Sequence, residues 1–403
     1  MVFALVLIIK TFIMLKVNLH VFLSDFKHES RVLRETKSIV VSGLIKKLFI
    51  AGLWERGVKE LEEIDDNRVV WRIRLRTRNL PKDLFHQFIK YAEWVIRIVV
   101  KFRKEPIVVV NCHGLSALPV GIFFKSLKKC KIIYDTHELE TESNGLSGMR
   151  KTLAKLLERL LIRYSDSVIV VSNSIAEWYK RKYSIKKVYV VRNIPEELGY
   201  GVRTPVSNIL RDKFRIKKSD ILFIYQGGLA NGRGISMILD TFSKVTEDKH
   251  VVFMGKGALG NLIKNYSCKF TNIHFHNAVN PEEVLRYTSS ADIGISLIEN
   301  VCLSYYYSLP NKVFEYLLSG LPIIVSDFPE MGKFIDENKC GWKVNVDSKA
   351  LFDLIKNISN AELIEKKEEA IRCKNKFSWH MEEQLLLKIY EDLTSQKNIG
   401  LAT

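Results

Sequence analysis

The chain has 403 residues, 62 Lys+Arg against 45 Asp+Glu, and a formal net charge of +17. That length suits about two or three domains, and 47% hydrophobic with 27% charged residues excludes a disordered chain. Residues 1–200 hold 36 basic and 21 acidic residues and the remainder 26 and 24, so the excess sits in the first half and points to an anionic partner: nucleic acid, a membrane surface or a phosphorylated substrate.

Taken in chain order, residues 1–15 (MVFALVLIIKTFIML) are apolar but carry Lys10, and their uncharged run of nine residues falls short of a bilayer span. They lack a basic leader region and a small-residue cleavage site. Three readings fit: a membrane-associating helix, an additional element on the domain, or a start at Met14, which runs directly into a strand. The last is favoured. Strands are expected at 17–23, 107–111, 131–135, 168–171, 188–191, 222–226, 250–254, 273–276, 293–297 and 323–326. Most are near-continuous apolar runs, the pattern of parallel strands covered on both faces. Helical spacing falls between them at 80–104, 148–163, 174–182, 235–245, 281–289, 312–318 and 362–373. The alternation predicts doubly wound α/β units. It occurs twice, on either side of a linker at 193–219 marked by Pro195, Gly199, Gly201 and Pro205. Two Rossmann-like domains are therefore expected, 1–200 and 201–376, followed by a terminal segment 377–403. Six scattered cysteines (Cys112, Cys130, Cys268, Cys302, Cys340, Cys373) form no CxxC pair, which excludes a disulfide framework or a cysteine zinc site and suits a reducing cytosol.

Four motifs carry chemistry. YQGGLANGRGI, residues 225–235, follows a buried strand and opens a helix. Gly227, Gly228, Gly232 and Gly234 permit tight turns and close backbone approach. The helix N-terminus and Arg233 would attract phosphate. A second glycine pair, Gly255 and Gly257, brackets Lys256 after the next strand. In PNKVFEYLLSGLPIIVS, residues 310–326, Asn311 is an expected N-cap, Lys312 follows it, and Glu315 lies one turn into the helix. A carboxylate there can accept ribose hydroxyls. In YDTHEL, residues 134–139, Asp135, His137 and Glu138 sit at a strand exit, where open α/β sheets bind ligands. His113 and Asn173 end or follow neighbouring strands and are expected along the same edge.

Together these segments resemble glycosyltransferase family 4, the group 1 glycosyltransferases of GT-B fold, from about Lys16 to Tyr390. The YQGGLANGRG loop resembles the donor phosphate loop, and PNKVFEYLLSGLPIIVSD the nucleotide-sugar helix and strand. YDTHEL, VVNCHG, VSNSI and VRNIP resemble first-domain signatures. Phe377-Ser-Trp379 and the closing helix resemble the segment that returns to the first domain. The resemblance implies two Rossmann-like domains facing a cleft. It also implies retaining transfer of a sugar from a UDP- or GDP-linked donor to a lipid-linked or saccharide acceptor, in surface polysaccharide, lipopolysaccharide or glycolipid assembly. Glu315 would bind the ribose, Arg233 and Lys256 the diphosphate, with Gly227, Gly228, Gly234, Gly255, Asn311 and Lys312 around the donor, and His137 would stand by the donor sugar. His137, Arg233 and Glu315 are thus the catalytic candidates, and Arg31, His113, Asp135, Glu138 and Asn173 the acceptor candidates. No cofactor is required on this reading, and no DxD-like metal site is present. Two positions depart from the family pattern. Gly228 stands where an Arg is usual, so one phosphate cation is missing or supplied elsewhere. Tyr307 stands where a second Glu is usual, leaving Glu299 and Tyr305–Tyr307 as candidates for the donor sugar's hydroxyls.

The first half also carries basic amphipathic stretches at 80–104 and 150–163. Such helices can lie on an anionic bilayer. For 150–163 the expectation is instead that leucines face the sheet and charges face water. No nucleic-acid-binding motif is present. The charge therefore implies a cytoplasmic protein held peripherally at the inner membrane face. A nucleotide-sugar epimerase or hydrolase and a non-catalytic partner of another transferase are the alternatives.

Overall fold

A computed structural model describes residues 16–27, 29–196 and 207–395. The apolar extension and the linker positions Gly199, Gly201 and Pro205 lie outside the described residues. The first unit runs β1 (Val17–Phe22), α1 (Ser30–Val41), β2 (Lys47–Leu53), β3 (Leu61–Glu63), β4 (Arg68–Ile73), α2 (Leu84–Phe102), β5 (Ile107–His113), α3 (Leu118–Lys128), β6 (Lys131–Asp135), α4 (Gly148–Leu161), β7 (Ser167–Val170), α5 (Asn173–Tyr183) and β8 (Val188–Val190). Its sheet has the order β3-β4-β2-β1-β5-β6-β7-β8, parallel except for the β3–β4 edge.

The second unit runs α6 (Ile209–Phe214), β9 (Ile221–Gly228), α7 (Ile235–Phe242), β10 (Lys249–Lys256), α8 (Gly260–Ser267), β11 (Ile273–Asn277), α9 (Val284–Thr288), β12 (Ile293–Ser296), α10 (Leu303–Tyr306), α11 (Asn311–Leu318), β13 (Ile323–Ser326), α12 (Pro329–Asn338), β14 (Gly341–Val344), α13 (Ser348–Asn357) and α14 (Asn360–Lys374). Its parallel sheet has the order β11-β10-β9-β12-β13-β14. That is the doubly wound 3-2-1-4-5-6 order, with strand direction of travel reversing at β9/β12, and the first sheet reverses likewise at β1/β5. Ligand sites belong at the carboxyl ends of the strands at these two points.

Both sheets are covered on both faces. Leu19 and Val21 pack with Trp94, Ile98 and Phe124 on one side of the first sheet. On the other, Ile50, Val109 and Ile133 pack with Val32 and Ile39 of α1. A last helix, α15 (Trp379–Ser395), joins that second face through Leu386, Ile389 and Tyr390. Trp379 Nε1 donates to Ser38 Oγ at 3.0 Å, and Tyr390 Oη lies 2.7 Å from Asn111 Oδ1. The last described helix therefore returns to the first sheet.

Strands β2, β3, β4 and β14, and helices α1, α3, α6, α8, α10, α12 and α13, are absent from the expected set, and α6 falls within the expected linker. In β4 the hydrophobic pattern is broken by Arg72, which is buried yet satisfied by the carbonyls of Asp25, Lys59 and Phe26 at 2.7, 2.9 and 3.2 Å. α3 carries Pro119 and Gly121, which read as turn residues. Gly121 is required because a Cβ there would lie 2.5 Å from Cys112 Sγ.

Helix α4 reverses the expectation that its leucines face the sheet. Leu153, Leu156, Leu157 and Leu160 are 55, 54, 41 and 44% exposed, and the buried residue is Glu158. Its carboxyl accepts from the hydroxyls of Tyr134, Tyr179 and Tyr183 at 2.8, 2.8 and 2.7 Å and of Thr141 at 3.2 Å. Four hydroxyls aimed at one carboxyl outweigh the burial of a leucine edge, and the helix turns over. Glu158→Ala leaves those hydroxyls without their acceptor and should cost at least about 3 kcal/mol of unfolding free energy. Chemical denaturation measures it, and a cost below about 1 kcal/mol would contradict this account.

Candidate active site

The two switch points face one another across a cleft of about 490 Å³. Its walls include Arg31, His137 and Glu138 from the first unit and Gln226, Gly227, Arg233, Tyr305, Asn311, Lys312 and Glu315 from the second. A recess of about 390 Å³ adjoins it, sharing Ser30, Asn193, Asn311 and Glu315 and walled by Val279, Pro281, Val284 and Leu285.

The second-unit wall is built on the exit of β9. Gly227 has φ of 110°, a left-handed conformation that favours glycine, and it turns the chain into the cleft. The loop then returns to α7 through Gly232 and Gly234, with φ of 79° and 68°. α11 is held over the same point by Tyr316, whose hydroxyl accepts from Gln226 N at 3.1 Å. A Cβ on Gly294 would lie 2.3 Å from the Tyr316 ring, so glycine there admits the helix. This packing turns Lys312 and Glu315 toward the cleft.

Lys312 is buried, and its Nζ has no hydrogen-bond partner. It lies 3.8 Å from the Tyr225 ring centroid, and a Cβ on Gly227 would be 4.0 Å from it. Burial and the nearby Arg233 lower the amine to about 7, against the pull of Glu315. A buried ammonium without a partner is costly. Arg233 is half-buried, with its guanidinium 4.9 Å from the Tyr305 ring centroid. Glu315 accepts from Gln226 Nε2 at 2.5 Å, and Thr288 donates to the Gln226 oxygen, which orients that amide. Burial pushes Glu315 upward, with Gln226, Lys312 and Arg34 opposing. This wall therefore presents two cations, a free backbone turn and an oriented carboxyl, a set suited to a diphosphate and a diol.

The first-unit wall carries His137, whose side chain is 27% exposed. Behind it lie His113 and Asp135, both fully enclosed. Burial works against the Asp135 carboxylate, but Arg31, His113 and His137 outweigh it and hold it well below the usual carboxylate range. Arg31 reaches Asp135 Oδ1 at 3.1 Å, Glu35 at 2.8 Å and the Val191 carbonyl at 3.1 Å.

The expected site residues thus divide. His137, Arg233, Glu315, Gly227, Asn311, Lys312 and Glu138 line the cleft. His113 and Asp135 do not meet it; their strand ends turn inward, where they support His137. Arg31 touches the wall but commits its guanidinium to internal partners. Glu138 accepts from Ser304 Oγ at 3.2 Å and so ties the two units together. Asn173 is exposed outside the cleft on α5, where Ser172 is the N-cap. Asn311 is the first helical residue, with Pro310 in the cap position. Gly255 does not line the cleft: a Cβ there would lie 1.9 Å from the Gly227 carbonyl oxygen, so glycine permits β9 and β10 to pair. Lys256 and Gly228 are exposed at the ends of those strands and do not line the cleft, and Gly234 begins α7. Of the sugar-hydroxyl candidates only Tyr305 lines the cleft. Glu299 accepts from Gly234 N at 3.1 Å, Tyr306 packs on Phe328, and Tyr307 packs on the first unit's core, its carbonyl accepting from Ser172 Oγ at 2.8 Å. Gln226, Thr288 and Arg34 were not anticipated; a polar residue ending a buried strand, as Gln226 does, was the available signal.

Each half of the chain matches a family model: residues 53–194 the one described as Glycosyltransferase Family 4, and residues 220–360 the one described as Glycosyl transferases group 1. The chain is a family 4, group 1 glycosyltransferase. The fold of this glycosyltransferase is GT-B. Sucrose-phosphate synthase from Thermosynechococcus elongatus superposes with a TM-score of 0.76 over 95% of this chain and 100% of that one, at 13% identity. Anabaena HepE in complex with UDP-glucose gives 0.70 over 93% and 99%, also at 13% identity. WaaG, a glycosyltransferase involved in lipopolysaccharide biosynthesis, gives 0.63 over 94% and 99%, at 13% identity. In sequence, the glycosyltransferase is 22% identical over 394 residues to a chitobiosyldiphosphodolichol beta-mannosyltransferase of Eremothecium gossypii, covering 89% of this chain and 82% of that one. The Kluyveromyces lactis enzyme of the same name is 21% identical, covering 80% and 78%.

Proposed function

We propose that this glycosyltransferase moves a sugar, with retention of configuration, from a UDP- or GDP-linked donor to a lipid-linked or saccharide acceptor at an anionic membrane surface, in the assembly of a surface polysaccharide or glycolipid. The observation that carries the donor half is Lys312, a buried cation without a partner beside the Gly227 turn and Arg233. A diphosphate there supplies the missing anion. Lys312 takes the place of the cation that Gly228 lacks. Glu315, oriented by Gln226, takes the ribose hydroxyls, and the base enters the apolar recess beside Val279 and Pro281. As the nucleoside diphosphate leaves, negative charge grows on it, and preorganised cations stabilise that charge. The sugar passes through an oxocarbenium-like state beside His137.

The acceptor half rests on the relatives' name, which contains a lipid diphosphate, and on the surface of the first unit. α3 and α4 present Phe123, Leu127, Met149, Leu153, Leu156 and Leu160 at 44–85% exposure. Arg150 and Arg159 flank them. An apolar face edged with basic residues is the chemistry of an anionic bilayer surface.

Calorimetry with UDP, GDP and their sugar conjugates tests the donor reading. One nucleotide class should bind with Kd of about 1 μM to 1 mM, and no binding by either class would sink it. The anomeric configuration of the product tests retention. A β-linked product from an α-linked donor would mean inversion, with His137 as the base.

The Lys312 amine at about 7 also sets a pH signature. A diphosphate binds the ammonium form. Donor affinity should therefore be flat below pH about 7 and weaken above it by up to about tenfold per pH unit. A Kd constant from pH ~6 to ~9 would contradict this.

A further inference from the structure

Helix α2 is apolar on two faces. Trp94, Ile98 and Phe102 are buried against the first sheet. On the outer side, Phe85, Phe88, Ile96 and Val100 form a stripe at spacings of three, eight and four residues, 55–69% exposed. A helix apolar all round is one that is covered all round. α2 packs beside α3, and α3 beside α4, so the stripe continues the exposed apolar surface of those two helices.

A cavity of about 840 Å³ opens beside this stripe, between α2 and the end of β4. Ile96 and Val100 line it together with four cations, Arg74, Arg76, Arg97 and Lys101, and Glu60 is the one acid among the described lining residues. The fold places the cations. The 3₁₀ turn Arg76–Asn79 is pinned by Glu93, whose carboxylate accepts from Arg76 N at 2.8 Å, Thr77 N at 2.9 Å, Thr77 Oγ1 at 2.5 Å and Arg97 Nε at 2.6 Å. Lys101 Nζ lies 3.2 Å from the Trp71 ring centroid, and the Arg74 guanidinium 4.8 Å from that of Trp54. Aromatic faces hold these two cations without neutralising them. The neighbouring acids Glu55, Glu62 and Glu93 pair instead with Arg78, Arg72 and Arg97. Among the described residues no carboxylate pairs with Arg74, Arg76 or Lys101.

We infer that this cavity binds the phosphodiester headgroup of an anionic lipid, with an acyl chain laid along Ile96 and Val100. Cations converging without a counter-ion repel one another, and one anion among them relieves that repulsion. Guanidinium forks and an ammonium suit phosphate oxygens. The apolar wall selects the source of the phosphate. A molecule whose anionic head is joined to hydrocarbon covers Ile96 and Val100, whereas a nucleic acid or a free sugar phosphate leaves them in water. The inference rests on the membrane-surface reading above. It adds a stoichiometric headgroup site on α2 and β4 to the apolar contact that α3 and α4 supply.

The test uses the full-length protein and a short-chain lipid kept below its micelle concentration. Calorimetry should show about one equivalent of dihexanoyl-phosphatidylglycerol bound, and at least about tenfold weaker binding of dihexanoyl-phosphatidylcholine, whose headgroup has no net charge. Arg74→Gln, Arg76→Gln and Lys101→Gln together should weaken phosphatidylglycerol about 100-fold, about fivefold for each cation. Ile96→Gln with Val100→Gln should weaken it about tenfold while leaving glycerol 3-phosphate, a weaker ligand, unaffected. Both sets are surface side chains, and thermal midpoints should confirm that the fold is kept. Removing three exposed cations of the second unit, Lys217→Gln, Lys218→Gln and Lys269→Gln, should change binding less than about twofold. Equal loss in that control would reduce the effect to net charge and overturn the inference. So would phosphatidylglycerol binding that the Arg74, Arg76 and Lys101 variant retains, or glycerol 3-phosphate bound as tightly as the lipid, which would make the site one for a soluble phosphate. Vesicles of phosphatidylcholine with phosphatidylglycerol separate the two readings. No binding of the wild type would contradict membrane docking, whereas binding that the triple cation variant keeps in full would overturn the headgroup site alone.

Discussion

Lys312→Met is expected to raise the Kd for the donor nucleotide about 30-fold to over 1000-fold while raising the thermal midpoint of the unliganded protein. The two effects have one cause. Removing one partner of a buried charge pair costs about 2–5 kcal/mol of binding. In the unliganded protein that partner is absent, and the amine, lowered to about 7, is held in a site that disfavours its charge. Between about pH 7 and 10.5 the unfolded chain binds a proton that the folded chain does not. Stability therefore rises with pH in that window. Methionine keeps the length of the side chain over the Tyr225 ring without the charge. Calorimetry for affinity and scanning calorimetry for stability read the two effects separately. A lysine that merely braces α11 would behave oppositely, with Met lowering the midpoint and leaving Kd unchanged.

Replacing Met149, Leu153 and Leu156 together by glutamine should weaken binding to anionic vesicles roughly a hundredfold and leave the folded protein intact. These side chains are 85, 55 and 54% exposed, so little of them is lost from the core. About 3 kcal/mol of apolar transfer is expected across the three, on the order of 1 kcal/mol each. Surface substitutions of this kind shift stability by about 0.5 kcal/mol or less. Raising salt should weaken the wild type through its basic flank but leave a residual that the triple variant lacks. Vesicle sedimentation measures both. Equal binding by the variant and wild type would contradict the proposed membrane face on α3 and α4.

Helix α4 shows where sequence reasoning reached its limit. The spacing of Leu153, Leu156, Leu157 and Leu160 puts them on one face, but nothing in that pattern says which face the sheet receives. Glu158 decides it through Tyr134, Thr141, Tyr179 and Tyr183, residues brought together only by the fold. α1 escaped notice for a related reason: its buried face includes Arg31, Glu35, Thr36 and Ser38, so no apolar stripe marks it. By contrast, the loop at Gly227 and the helix at Asn311 were legible because glycine, proline and a helix start punctuate the sequence where a ligand must approach. At Gly255 the same punctuation serves strand pairing, and neither Gly255 nor Lys256 lines the cleft. His20 was invisible inside a strand read only as an apolar run, although its Nδ1 lies 2.8 Å from Nε2 of the histidine behind the cleft.

The most direct measurement follows a labelled sugar from nucleotide to lipid. Wild-type protein would be incubated with radiolabelled UDP- and GDP-sugars and membrane lipid extract, and label would be counted in the organic phase. The structure predicts transfer from one nucleotide class by the wild type and its loss in Lys312→Met. Label that stays in the aqueous phase with every donor, or reaches the lipid phase equally well with Lys312→Met, would contradict the account.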